Sequence, residues 1–340
     1  MDKTANKNHI FIIDFLKGIA ILSVIVHHIF LPTATKNLLL IPFWGVLAVP
    51  IFLTISGFTL SLSNKYNDLN NCKNYINNYY NQKNLINKTK RLFIPYLVMF
   101  SIEIAAITIT DKMPSLKHIA KLFVLGGGNA PGSYYILVLF QIITVFPFLT
   151  LLYNKLKNYS FIIIGIVQLV YEFTIYALKI DSSIAKYTAF RYLFFVLCGI
   201  WLYNNYKRKL NYAMLSISMI IGTTWIICTS YFAYTPKIFF ATWTDTSLPT
   251  AFWYVPIMLI LFNKFAGTEL KHKSLICKFG RASYHIYLVQ MLYFLFVGNR
   301  FGNDFVNTLV ALVACSTVGT LFYLAEQKFN AYIKKKRLSK

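Results

Sequence analysis

Between residues 10 and 326 the chain is a succession of apolar runs, each of about 18 to 25 residues, far more than one soluble core can bury. At a rise of 1.5 Å per residue each run is long enough to cross about 30 Å of hydrocarbon as a helix. The runs lack the strict alternation and short turns of outer-membrane strands, and backbone polar groups in lipid must be satisfied within the chain. The expected fold class is therefore all-α, a polytopic membrane helix bundle. Composition agrees: 57% of residues are hydrophobic and 13% charged, where a soluble domain carries about a quarter charged residues.

Ten crossings are expected, at 10–31, 38–63, 92–110, 133–153, 160–179, 188–204, 212–232, 248–263, 280–298 and 305–326. With the N-terminus on the cytoplasmic side, inner segments carry 23 Lys and Arg residues and outer segments 9, which places both termini in the cytoplasm. The net charge of +23 thus reports orientation and contact with anionic lipid, and nucleic acid is not an expected partner. The first run follows a basic N-terminus but contains Asp14, Lys17, His27 and His28 and no small-residue cleavage site, so it is expected to be a helix of the mature protein. Five scattered cysteines without a C-x-x-C pair indicate neither a disulfide framework nor a metal site.

The chain reads as a single membrane-embedded domain over 1–340, with a cytoplasmic loop at 64–91 and a basic cytoplasmic tail at 327–340. The Tyr and Lys residues of the loop suit an amphipathic surface element, and its Asn residues an A/T-biased coding tendency. Among the outer loops only 111–132, with the flexible GGGNAPG, is long. Any chemistry must happen in or at the bundle.

Ionisable residues inside a span are functional candidates by default, and the first helix has the densest set. Lys17 and His28 are eleven residues apart, about 20° off a whole number of turns, so they share a face. Asp14 lies about 40° to the other side of His28, whereas His27 points about 100° away. One stripe therefore carries an acid and a base near one end and an imidazole roughly 16 Å deeper. Such a His can take a proton from an attacking hydroxyl, and such a Lys can hold a phosphate or carboxylate. The same residues also fit an interfacial Asp14–Lys17 pair with a rim histidine. In the second run Ser56-Gly57 lets another helix approach closely. The basic cluster before Pro95, with Lys90 and Arg91, suits either a membrane anchor or a grip on the phosphates of a nucleotide-like donor. Glu103, Glu172, Arg191 and Glu326 are further charges in or near spans, without partners that sequence can assign.

Two motifs, DFLKGIAILSVIVHH (14–28) and PIFLTISGF (50–58), resemble the D-x-x-R-G-h-A opening and the F-F-x-x-S-G-F of the acyltransferase 3 family of bacterial membrane enzymes, which O-acylate surface polysaccharides and related glycans. Weaker echoes follow in the family's order: KRLFIPYL (90–97), GSYYILVLFQIITVFPFL (132–149), RYLFFVLCGIWL (191–202) and FGRASYHIYLVQ (279–290). Within the family, LFIPYLVMF and the Tyr-Tyr pair that starts the fourth helix are similar to the O-acyltransferases of intercellular-adhesin synthesis. The chain departs from the pattern at Lys17, where Arg is usual, at Gln290, where a His often stands, and at Lys88, Lys90 and Arg91, which replace an R-x-x-R. Lys lacks the bidentate fork of Arg.

The resemblance implies a membrane O-acyltransferase, in the bacterial cytoplasmic membrane, that moves an acetyl- or succinyl-type group from cytoplasmic acyl-CoA to a hydroxyl of a cell-surface polysaccharide or glycan. His28 would be the general base or a transient acyl carrier. Asp14, Lys17, Ser56, Lys90 and Arg91 would support it or bind the donor, without a metal or a tightly bound cofactor. Glycan-synthesis machinery is a further expected partner. A transporter or flippase for a glycan or lipid-linked saccharide is the rival reading, though no inverted repeat is visible. A third reading, a non-catalytic partner of a glycan synthase, leaves the His28 stripe unexplained.

Overall fold

The computed structural model describes residues 10–29, 31–45, 47–64, 69, 71–110, 114–125, 131–234, 246–266, 274–298 and 300–338. Residues 126–130 of the expected flexible Gly-rich loop, and 65–68 and 70 of the expected cytoplasmic loop, lie outside the described residues. Helices make up the fold, with no strand among the described residues. In order they are α1 (Phe11–His27), α2 (Thr33–Leu38), α3 (Ile41–Trp44), α4 (Ala48–Ser63), α5 (Cys72–Tyr79), α6 (Gln82–Thr110), α7 (Leu116–Leu125), α8 (Tyr134–Leu156), α9 (Tyr159–Ala177), α10 (Ser182–Ala185), α11 (Leu193–Asn205), α12 (Tyr212–Ile226), α13 (Ala251–Phe265), α14 (Leu275–Arg281), α15 (Ser283–Phe296) and α16 (Asp304–Leu338).

Seven segments among the described residues are helical, long and apolar enough to cross a membrane: 41–63, 84–109, 134–156, 159–177, 212–231, 248–265 and 304–336. The other three expected runs form α1, α11 and α15, of 17, 13 and 14 residues. These shorter helices are largely buried. Leu193–Ile200 of α11 is buried without interruption, as a helix apolar on every face should be, and α11 packs chiefly on α4. Peripheral helices show the converse pattern. On α9, Ile162, Ile166, Val170 and Phe173 are exposed while Gln168 and Glu172 are buried, so the apolar face looks outward and the polar groups inward.

Several boundaries differ from the sequence reading. The expected span 38–63 is interrupted, because Leu40 takes a left-handed conformation (φ 52°) between α2 and α3. The expected run 280–298 is likewise split at Ala282 between α14 and α15. α6 begins at Gln82, ten residues before the expected start, so the basic cluster sits on a helix and not in the loop, and Pro95 lies well inside the helix. Much of the expected loop 64–91 is thereby helical, and Tyr75 and Tyr79 of α5 are fully buried instead of lying on a surface element. α16 runs on to Leu338, absorbing most of the expected tail, since Lys, Arg and Glu are good helix formers.

Two interior prolines explain how neighbouring helices are fastened. A proline has no N–H, so the carbonyl four residues earlier loses its helical donor, a serious loss where water is absent. Pro147 of α8 releases the Ile143 carbonyl, and the Tyr79 hydroxyl of α5 donates to it at 2.7 Å. The Tyr80 hydroxyl binds the adjoining Thr144 carbonyl. Pro256 of α13 releases the Phe252 carbonyl, which accepts from Ser218 Oγ of α12 at 2.9 Å. Independently of a proline, the Leu92 carbonyl of α6 accepts from the Tyr284 hydroxyl of α15 at 2.7 Å.

Two glycine contacts set the crossings that matter for the site. A Cβ on Gly199 would stand 2.0 Å from the Thr54 carbonyl oxygen, so α11 and α4 meet backbone to backbone, the close approach read from Ser56-Gly57. A Cβ on Gly280 would stand 1.8 Å from the Asp14 carbonyl oxygen, which seats α14 against the start of α1.

Candidate active site

The first helix supplies one wall of a cavity of about 1120 Å³ lined by α1, α4, α6, α8, α14, α15 and α16. Asp14, Lys17 and His28 all line it, as the stripe calculated from their spacing requires, and Ser56 and Arg91 line it too. Five of the six residues singled out in the sequence are thus brought together. Lys90 is not: it is exposed and does not line the cavity, whereas Lys88 does. On α6, Lys88 and Arg91 are three apart and share a face, while Lys90 lies about 100° from Arg91. Lys88 Nζ rests 3.6 Å from the centre of the Tyr79 ring, a cation–π contact that directs it inward.

At the end of the cavity where α1 begins, Arg281 Nη1 lies 3.5 Å from Asp14 Oδ2, and Lys17 is within electrostatic reach of both Asp14 and Arg91. His285 Nε2 and Glu326 Oε2, 2.6 Å apart, complete this end. Among the described residues six cations line the cavity (Lys17, Lys88, Arg91, Lys186, Arg191 and Arg281) against two carboxylates, Asp14 and Glu326, so it favours an anionic occupant.

At the other end stands His28, just past the last residue of α1, its imidazole 5.6 Å from the Phe294 ring. Gly132, with φ of 87°, approaches this ring closely: a Cβ there would lie 3.8 Å from His28 Nε2 and 3.4 Å from the Tyr287 hydroxyl oxygen. The Tyr287 hydroxyl donates to the Gly132 carbonyl and holds the loop in place. His27 also lines the cavity, its ring 5.7 Å from that of His28, although the helical angle places it a quarter-turn away. Ser56 Oγ donates to Phe52 O at 2.9 Å and is bonded to the Tyr135 hydroxyl, which fixes it in the cavity wall.

Several members of the site are left unassigned by sequence reasoning. Arg191, buried, pairs with buried Glu172 at 3.5 Å and donates from Nε to Thr246 Oγ1 at 2.9 Å. The sequence marks both as charges in or near spans, but not as partners. His285 and Arg281 are visible there only as letters of the motif FGRASYHIYLVQ. A tyrosine cluster (Tyr134, Tyr135, Tyr192, Tyr284 and Tyr287) also lines the cavity, and no periodicity signals it.

The bundle thus holds, among its described residues, a cationic cavity with a histidine at one end, inside a multi-pass membrane protein. The acyltransferase 3 family model, an acyltransferase domain, matches residues 10–325, and the chain belongs to that family. It is an acyltransferase of groups other than amino-acyl groups and a multi-pass membrane protein. No curated protein and no solved structure matches the chain.

Proposed function

We propose that this protein moves an acetyl- or succinyl-type group from cytoplasmic acyl-CoA to a hydroxyl of a cell-surface polysaccharide or glycan, in a bacterial cytoplasmic membrane, in the manner of the intercellular-adhesin O-acyltransferases it resembles. The observation that carries the reading is one continuous cavity with Lys17, Lys88 and Arg91 at one end and His28 at the other. The phosphates of CoA suit the cations, and the extended thioester arm suits the depth between Lys17 and His28, about 16 Å along α1. Both chain termini then lie in the cytoplasm.

The step balances without an added reactant. His28 accepts the proton of the sugar hydroxyl as its oxygen bonds to the thioester carbonyl carbon; the carbon–sulfur bond breaks, and the proton passes to the departing thiolate, releasing CoA. A positioned base of this kind contributes about 10² to 10⁴ in rate. Gly132, having no side chain, leaves room beside Nε2 for the reacting carbonyl.

The test is transfer of label from radiolabelled acetyl-CoA and succinyl-CoA to added oligosaccharide by purified wild type and His28→Ala. Transfer by wild type that falls by at least about 10² in the variant is expected. Equal transfer by a folded His28→Ala protein rules out this role for the histidine, and transfer of neither group rules out the donor class.

A further inference from the structure

A second concavity, of about 790 Å³, lies on the opposite side of α1 between α14 and α16. Its α1 wall is Ile19, Leu22, Ser23 and Val26, which project within about 60° of the direction opposite Lys17 at 100° per residue. The first helix thus separates the cationic cavity from an open groove on its other side. Most of the groove is apolar, with Leu312 and Val313 of α16 facing α1. Its one charged lining residue among those described is Lys278, which is exposed and belongs to the helix packed against the start of α1.

Two hydroxyls make the groove more than an apolar furrow. Ser316 and Thr320 line it, and neither Ser316 Oγ nor Thr320 Oγ1 has a hydrogen-bond partner although both atoms are buried; Ser316 is 3% exposed. Ser23 on the groove's own wall, and Ser61, Ser101, Thr108, Thr150 and Thr229 elsewhere in the bundle, instead satisfy themselves on the carbonyl four residues back. In hydrocarbon an unmet hydroxyl is costly, so these two point to an occupant with acceptor oxygens below its charge.

We infer that the groove binds one phospholipid with an anionic headgroup, its phosphate at Lys278, its ester carbonyls accepting from Ser316 and Thr320, and an acyl chain along Leu22, Val26 and Val313. A polyprenyl phosphate offers the charge but no ester carbonyls, and the hydroxyls select against it. Binding on the back of α1 would brace the helix that carries Asp14, Lys17 and His28.

The experiment is native mass spectrometry of the protein released from nanodiscs of equal phosphatidylglycerol and phosphatidylethanolamine. Wild type should keep one phosphatidylglycerol, and Lys278→Ala should keep it about fivefold less, the effect of one Lys near an anionic headgroup. Val313→Trp, which fills the groove, should abolish retention; if that variant does not fold, Lys278→Ala decides. A diether phosphatidylglycerol should be kept less than the diester by wild type and equally by the Ser316→Ala/Thr320→Ala double variant. Equal retention of both headgroups, unchanged retention in Lys278→Ala, or displacement of the phospholipid by added polyprenyl phosphate would each overturn the inference.

Discussion

His285 Nε2 of α15 lies 2.6 Å from Glu326 Oε2 of α16, and the two side chains close one end of the cationic cavity. The imidazole is 5% exposed, wedged against the rings of Phe322 and Tyr323, and its Nδ1 has no hydrogen-bond partner. Glu326→Ala removes the one acceptor of a buried ring and should lower stability by about 1 to 3 kcal/mol. Glu326→Gln keeps an acceptor and should recover most of the loss. Thermal unfolding in detergent measures both, and an alanine variant as stable as wild type would show that the pair contributes nothing to the α15–α16 junction.

The two neighbouring lysines of α6 should behave differently. Lys88 and Arg91 line the cavity and Lys90 does not. Under the proposed function, Lys88→Ala and Arg91→Ala should each raise KM for acyl-CoA by about tenfold, the loss of one charge-assisted contact worth about 1.4 kcal/mol. Lys90→Ala should leave KM within about a factor of two. Equal effects at Lys88 and Lys90 would mean that the basic cluster acts as a general anchor.

The contrast between these lysines shows which parts of the site can be read from the sequence. The stripe of Asp14, Lys17 and His28 follows from spacing along one helix, because 3.6 residues per turn fixes their shared face whatever surrounds them. Lys90 is misplaced when the helix is taken to start at residue 92; once residues 82–91 are helical, the same arithmetic selects Lys88 and Arg91. The membrane fold is legible because long apolar runs have few alternatives. The pairings of Arg191 with Glu172, Arg281 with Asp14 and His285 with Glu326 are not, because each joins separate segments; the Arg281–Asp14 pair sits at the α14–α1 crossing set by Gly280, and the His285–Glu326 pair at the α15–α16 crossing where a Cβ on Gly319 would stand 2.4 Å from Ile286 Cα.

Gly132 is held at φ 87° with its α-carbon beside the catalytic candidate. Gly132→Ala should cost about 1 to 2 kcal/mol from the left-handed backbone alone. It also places a methyl group 3.8 Å from His28 Nε2, where the proposed mechanism seats the reacting carbonyl. kcat should therefore fall further than stability explains, by about tenfold or more in protein that remains folded at the assay temperature. A kcat that only tracks the folded fraction would remove Gly132 from the site.

The Tyr79–Ile143 hydrogen bond gives a test of how α5 is fastened in the bundle. The Ile143 carbonyl is available because Pro147 cannot donate to it, and the buried Tyr79 hydroxyl takes that place at 2.7 Å. Tyr79→Phe should then cost about 1 to 2 kcal/mol, since it strands a carbonyl away from water. Pro147→Ala restores an N–H four residues along, which satisfies the same carbonyl within α8. In that background Tyr79→Phe should cost markedly less, and the coupling read from the double-mutant cycle should be of order 1 kcal/mol. The Tyr79 ring also carries Lys88 on its face, and a phenyl ring in its place keeps that face, so the KM for donor should change little in either variant. Additive costs across the cycle would show that Tyr79 does not act through the carbonyl freed by the proline, and that α5 is held by packing alone.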